Sequence, residues 1–163
     1  MNKGFTLIEV IIYIALFSIL MGGAYIVAFQ LIDNSGKLNT RNTVQGEGNF
    51  VMRKLDWALT SVDPSFTTTP SSGTTSNLRV KKYDGTKVEV CLDSNKIKIH
   101  EGTFGSCTDP DYLPITTDNI IVKASSLNFQ YIPASGSGPF GITANFTITS
   151  NGVDFPFTIT KYI

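Results

Sequence analysis

The chain has 163 residues and carries 13 basic and 13 acidic side chains, so its formal net charge is zero. This length allows one compact domain with an appendage and excludes a larger multidomain protein. The balanced charge creates no basic field that attracts nucleic acid without sequence preference, so we do not expect nucleic acid among its partners.

Residues 5–32 form the first segment, and almost all of its side chains are apolar. At roughly 1.5 Å per residue, a helix of this segment is about 42 Å long, which exceeds the ~30 Å hydrocarbon core of a bilayer. The segment therefore predicts one transmembrane helix. Gly22 and Gly23 lie inside it, and each costs about 1 kcal/mol relative to alanine. They indicate either a kink or a position of close helix packing.

Glu9 is the one acidic side chain of this apolar segment. A charge at the centre of a spanning helix costs about 2.5–3.5 kcal/mol on insertion scales, and less near the end. We therefore expect Glu9 to have a partner. Two alternatives leave it without a role: a secretory signal peptide, with residues 10–21 as its apolar core and a cut near Gly22–Ala24, or a plain one-pass anchor.

Residues 33–62 continue the helix with an amphipathic pattern, because apolar residues recur at spacings of three, four and seven. Gly36, Gly46 and Gly48 weaken this helix, so we expect its lower half to be irregular or frayed, and Asp63-Pro64 ends it. The apolar stripe consists of Leu31, Leu38, Val44, Gly48, Val51, Leu55, Ala58, Leu59 and Val62.

Residues 63–163 predict a β-sheet head domain, which residues 33–62 complete. A polar linker rich in Ser, Thr, Pro and Gly occupies roughly residues 65–77. Short runs with alternating apolar and polar residues follow, separated by turn sequences. The predicted strands are 78–83, 87–92 and 96–101, which form an antiparallel meander, and 120–123, 126–132, 142–149 and 153–161, which complete a sheet.

The strand pattern and the amphipathic helix together define the fold class. Pro156 interrupts the last run and suits an edge strand or a bulge, because proline cannot donate to a central ladder. One helix face and one sheet face can cover each other in two layers. The expected fold is therefore α+β: a long N-terminal helix packed on a C-terminal antiparallel sheet.

Cys91 and Cys107 both lie in the part of the chain that is exported if residues 5–32 cross a membrane. In an oxidising compartment they predict one disulfide, which stabilises a loop of this size by about 3 kcal/mol. Two free thiols are the alternative. The cysteine spacing does not suggest a zinc site.

The stretch from Lys3 to Glu9, KGFTLIE, resembles the N-terminal signal of type IV pilins and of type II secretion pseudopilins. The resemblance in motif covers about the first 30 residues, and the remainder is similar only in architecture. It implies a leader of residues 1–4, cleavage after Gly4 by a prepilin peptidase, and methylation of the new amino group on Phe5. It also implies that Glu9 pairs with the Phe5 amine of a neighbouring subunit during assembly.

The resemblance carries expectations about location and partners. The chain would span the inner (cytoplasmic) membrane once with its C-terminus outside, and then enter a cell-surface or periplasmic fibre. Its partners would be other pilin or pseudopilin subunits, the prepilin peptidase, an inner-membrane assembly platform and the lipid bilayer. The implied function is a structural subunit of a type IV pilus or a type II secretion pseudopilus.

Several features favour a minor, low-copy subunit over a major pilin. The predicted strands show no second subdomain. Residues 122–132, VKASSLNFQYI, are similar to a strand of J-type minor pseudopilins and related minor pilins. The cysteine loop lies in the middle of the domain, whereas many pilins carry theirs near the C-terminus. The alternative function is a tip binding module that engages substrate, a surface or DNA.

The sequence shows no constellation for catalysis and indicates no cofactor. His100 alternates with Lys98 on a predicted strand and is expected to face solvent, and no nucleophile elbow, P-loop or HExxH motif occurs. We therefore expect a structural protein and not an enzyme.

Two groups of charged residues are the remaining site candidates. Asp109, Asp111 and Asp118 crowd one loop and are conceivable calcium ligands, although their spacing is not that of an EF-hand. The second group is a basic stretch, where the interleaved acidic residues favour a solvated strand face over a DNA site. It consists of Arg79, Lys81, Lys82 and Lys87.

Overall fold

The computed structural model describes residues 6–136 and 138–163. A 52-residue helix, α1, runs from Leu7 to Ala58 and is followed by antiparallel strands. The α+β layout predicted from the sequence is thus confirmed. The strands are β1 (Thr74–Thr75), β2 (Leu78–Lys81), β3 (Lys87–Asp93), β4 (Lys96–Glu101), β5 (Leu113–Pro114), β6 (Ile121–Val122), β7 (Asn128–Ile132), β8 (Gly141–Ser150) and β9 (Val153–Tyr162).

The chain divides into two compact units, with the division between Asn42 and Thr43. We call residues 6–42 the N-terminal helical segment and Thr43–Ile163 the C-terminal unit. Helix α1 contributes residues to both.

Helix α1 is continuous through its glycines, so the expected irregularity is wrong. The helical ladder is cooperative, and single glycines do not interrupt it where their neighbours keep their hydrogen bonds. The helix ends at Ala58, before the predicted end at Val62. Ser61 adopts a positive φ of 59°, and Val62 then forms a β-bridge with Lys82.

The strands divide between two antiparallel sheets, whereas the sequence predicted a single one. One sheet has the order β2-β3-β4-β5, and its first three strands are the predicted meander. In the other sheet β1, β7 and β8 lie in that order, and β6 and β9 also pair with β8. Strand β9 pairs with β8 alone among the described residues, which confirms the edge position inferred from Pro156.

Residues 65–77 are packed, although the sequence suggested a free linker. Thr68 is buried, Thr69 exchanges backbone hydrogen bonds with Arg79, and Thr74–Thr75 pairs with β7. Hydroxyl side chains and backbone pairing hold this segment, so its polar composition does not prevent it from joining the sheets.

The core of the C-terminal unit lies between one face of α1 and the two sheets. Gly48 lies against the ring of Phe157, where even a Cβ atom would come within 2.1 Å of Cζ. Leu31 and Leu38, predicted as part of the same stripe, lie outside this core and are exposed. The residues of the predicted stripe that are buried are Val44, Gly48, Val51, Leu55, Ala58, Leu59 and Val62.

Candidate assembly segment and disulfide loop

The N-terminal helical segment exposes nearly all of its apolar side chains. Its most apolar 18-residue window has a mean hydropathy of 2.4, and none of that window is buried. Leu7 is 81% exposed and Leu20 is 72% exposed. By length and composition this helix can cross a membrane, where lipid would cover surface that water disfavours.

Glu9 lies in the first turn of α1, and its backbone N–H donates to the Thr6 carbonyl at 3.1 Å. The nearest basic side chains further along the N-terminal helical segment are Lys37 and Arg41. At roughly 1.5 Å per residue, Lys37 lies about 42 Å along the helix from Glu9. Lys37 pairs instead with Asp33 at 2.6 Å. No basic group of the described segment can therefore reach Glu9.

Gly4 and Phe5 lie outside the described residues. The predicted cleavage between them, the methylation of Phe5 and the pairing of its amine with Glu9 therefore stay predictions.

A disulfide joins Cys91 and Cys107, whose Cα atoms are 6.1 Å apart. This confirms the predicted pairing. Cys91 is buried on β3, and Cys107 lies in the loop between β4 and β5. The disulfide therefore fastens that loop to the four-stranded sheet.

Glu89 is a second fastening point for the same loop, and the sequence interpretation missed it. Its side chain is buried, accepts from Arg79 Nε at 2.9 Å and from the Tyr112 hydroxyl at 2.7 Å. The Gly105 N–H also donates to it, at 3.3 Å. Burial and the bond to Glu89 raise the pKa of the Tyr112 hydroxyl. The sequence did contain a signal for this role: Glu89 lies two residues before Cys91, so both side chains are on the same face of the strand, toward the loop.

The four basic residues each have a local partner, and Arg79 and Lys87 both lie over the Phe104 ring. Arg79 pairs with Glu89, Lys81 lies 3.8 Å from Asp63, and Lys82 packs on Trp57. The fourth member, Lys87, lies over the Phe104 ring. Each cation is engaged locally, but the face is not solvated throughout as expected, because Lys82 is buried.

The three aspartates are not gathered into one site. Asp118 pairs with Lys96, and Asp109 accepts from the Ser106 N–H at 2.9 Å. The carbonyl of Asp111 lies 3.2 Å from Nδ1 of His100. Within residues 6–136 and 138–163, no group of three or more acidic, histidine or cysteine residues is placed to hold a metal ion.

His100 is less exposed than the sequence suggested. Its ring stacks on Tyr112 with a centroid distance of 4.6 Å. The histidine therefore belongs to the packing of the disulfide loop.

Comparison with known protein families identifies a motif at the N-terminus. A family model described as the prokaryotic N-terminal methylation motif matches residues 1–25. The chain thus carries the signal of type IV pilins and pseudopilins, and the motif supports a structural subunit of that class. The motif implies processing by a prepilin peptidase and assembly with other pilin subunits. Searches of curated proteins and of solved structures found no match.

Proposed function

We propose that this chain is a subunit of a type IV pilus or a type II secretion pseudopilus, polymerised through its N-terminal helix. The observation that carries the proposal is the methylation motif at residues 1–25 on a helix whose apolar side chains are exposed. In this proposal residues 1–4 are a leader, residues 5–32 span the membrane, and residues 33–62 join residues 63–163 in the head domain. The peptidase cuts after Gly4, and Phe5 becomes the methylated N-terminus.

Glu9 is proposed to pair with the Phe5 amine of a neighbouring subunit. The described segment offers it no basic side chain, while cleavage creates a protonated amine at nearly the same depth in the membrane. Within one chain a full helical turn separates the two groups. Between staggered chains they can lie at the same level. A buried ion pair barely recovers its desolvation cost, so this pair sets register more than stability.

A minor, low-copy role is proposed over that of a major pilin. The Cys91–Cys107 disulfide belongs to the four-stranded sheet β2-β3-β4-β5, well before the final strand β9. This mid-domain position supports the minor role, because many pilins carry their disulfide loop near the C-terminus. The second candidate is a tip module whose C-terminal unit binds a ligand. Quantifying this subunit against the bulk pilin in sheared fibres separates a major from a minor role. Parity with the bulk pilin would contradict the minor role.

The pairing is tested by comparing Glu9→Ala with Gln30→Ala, which removes another polar side chain from the same apolar segment. We expect both variants to enter the membrane fraction. Only Glu9→Ala should be lost from sheared fibres, because it alone lacks the carboxylate that the Phe5 amine needs. Normal incorporation of Glu9→Ala would overturn the proposed pairing.

A further inference from the structure

A pocket of about 400 Å³ lies in the C-terminal unit where helix α1 ends. This volume is within the range of roughly 300–1,000 Å³ that small-molecule sites occupy. We call it the Trp57 pocket. It is lined by Trp57, Thr60, Ser61, Lys82, Tyr83 and Asp84.

The walls of the Trp57 pocket are held by backbone hydrogen bonds. The Tyr83 N–H donates to the Ser61 carbonyl at 3.0 Å, which ties the β2–β3 turn to the end of α1. Within that turn the Gly85 N–H donates to the Lys82 carbonyl at 2.9 Å. A ligand therefore meets a site that is already formed, and little ordering opposes binding.

Lys82 supplies a buried ammonium group. Its residue is only 8% exposed, and Nζ lies 3.4 Å from the centre of the Trp57 ring. Nζ also donates to the Trp57 carbonyl at 3.1 Å. An ammonium has three N–H donors. Among the described residues, the Trp57 ring and the Trp57 carbonyl account for two of these three N–H groups. The third can be donated to a ligand.

Asp84 supplies a negative group on the same pocket. The Thr86 N–H donates to its Oδ1 at 2.8 Å, and this bond is the main reason that the pKa of Asp84 lies below its ordinary value. The carboxylate is therefore ionised at neutral pH. It has about four acceptor positions, so it can accept hydrogen bonds from a ligand as well as from Thr86.

Tyr83 supplies an exposed aromatic ring beside these two charges. It is 71% exposed, while Trp57 is 38% exposed and has Lys82 over its ring. The negative face of an aromatic ring attracts weakly polarised C–H groups. The accessible ring of the pocket is thus that of Tyr83.

We propose that the Trp57 pocket binds a pyranose ring of a glycan. A sugar diol can accept from the Lys82 ammonium and donate to the Asp84 carboxylate, while its C–H face lies on Tyr83. A simple anion would be repelled by Asp84 and a simple cation by Lys82, whereas neutral hydroxyl groups satisfy both, and only a pyranose ring adds a C–H face for Tyr83. This inference goes beyond the proposed assembly role, since binding to the pocket needs no polymerisation.

Tryptophan fluorescence of the full chain provides the test, because Trp57 is the only tryptophan. The chain is purified in a detergent without a sugar headgroup and titrated with methyl glucoside, mannoside and galactoside. Titration to about 100 mM reaches dissociation constants in the millimolar range. Sorbitol at equal concentration is the ligand control, since it has the hydroxyl groups but not the ring. We expect a saturable change with at least one pyranoside and none with sorbitol.

Two variants connect that change to the pocket. Tyr83→Ala should weaken binding about two- to tenfold, because it removes the aromatic face. Its matched control is Tyr162→Ala, which removes another exposed tyrosine that does not line the pocket and should leave binding unchanged. Asp84→Asn should also weaken binding, since hydrogen bonds to a charged acceptor are roughly twice as strong as neutral ones.

Circular dichroism checks that each variant is folded. A saturable change whose dissociation constant rises in Tyr83→Ala and in Asp84→Asn but stays the same in Tyr162→Ala would support the proposal. Absence of a saturable change with every pyranoside would overturn it. So would equal responses to sorbitol, or an unchanged dissociation constant in both pocket variants. None of these results depends on fibre formation, so they leave the proposed assembly function to its own test.

Discussion

The two parts of helix α1 share one continuous backbone, but most apolar side chains are exposed in the first part and buried in the second. Leu20, in the N-terminal helical segment, is 72% exposed, whereas Leu55, in the C-terminal unit, is fully buried. The residue type and the secondary structure are the same. The difference teaches that the C-terminal unit covers only the last part of helix α1, and that the apolar side chains of the longer N-terminal part need cover from lipid or from other subunits.

Replacing a leucine by alanine in each part of the helix should give the largest contrast. Leu55→Ala should lower the free energy of unfolding of the C-terminal unit by about 2–5 kcal/mol, because it leaves a cavity in a packed core. Leu20→Ala should change it by less than about 0.5 kcal/mol. Urea unfolding of the full chain in detergent, followed by Trp57 fluorescence, measures both. Equal losses would contradict the division of the helix.

Replacing two nearby glycines should sharpen the contrast within the C-terminal unit. Gly46→Ala should stabilise by about 0.5–1 kcal/mol, because alanine favours the helix and no atom lies near its Cβ. Gly48→Ala should destabilise by about 1–3 kcal/mol, since its Cβ would overlap the Phe157 ring.

The same urea measurement applies to both glycine variants. In a Phe157→Leu background the loss caused by Gly48→Ala should shrink, because the two sites are in contact and their effects are not additive. An unchanged loss in that background would mean that the overlap is not its cause.

Acid should destabilise the C-terminal unit by a smaller amount. Hydrogen bonds from Lys98 are the first reason that the pKa of Asp93 lies below its ordinary value of 3.8. A depressed pKa in the folded state adds stability above 3.8, and that stability is lost as the pH falls through the folded pKa. The Tm difference between the native chain and Asp93→Asn should therefore be larger at neutral pH than in acid. A difference that does not change with pH would exclude this contribution.

Local signals explain which parts of the fold the sequence predicted. The turn between β3 and β4 has Ser94 and Asn95 at positive φ, and the turn between β8 and β9 has Asn151 and Gly152. Asparagine and glycine tolerate that region, so these hairpins could be located from sequence. The apolar segment and Glu9 were equally visible, because they depend on composition and on a short motif.

Other features depend on contacts between residues far apart in sequence. The alternation of apolar and polar residues predicts which face of a strand is buried, but not which other strand pairs with it. The division into two sheets was therefore not predictable. The same holds for the bond between Glu89 and Tyr112 and for the approach of Gly48 to Phe157. Leu31 and Leu38 follow the spacing of the buried stripe, but spacing does not predict how far along the helix the sheets pack.

Mass spectrometry of the mature N-terminus tests the central claim most directly. A chain that is cut after Gly4 and then assembled should begin with N-methylated Phe5. An intact Met1 would indicate a plain membrane anchor, and an N-terminus at Tyr25 would indicate a secretory signal peptide. Either of these two results would contradict assembly through a processed N-terminal helix.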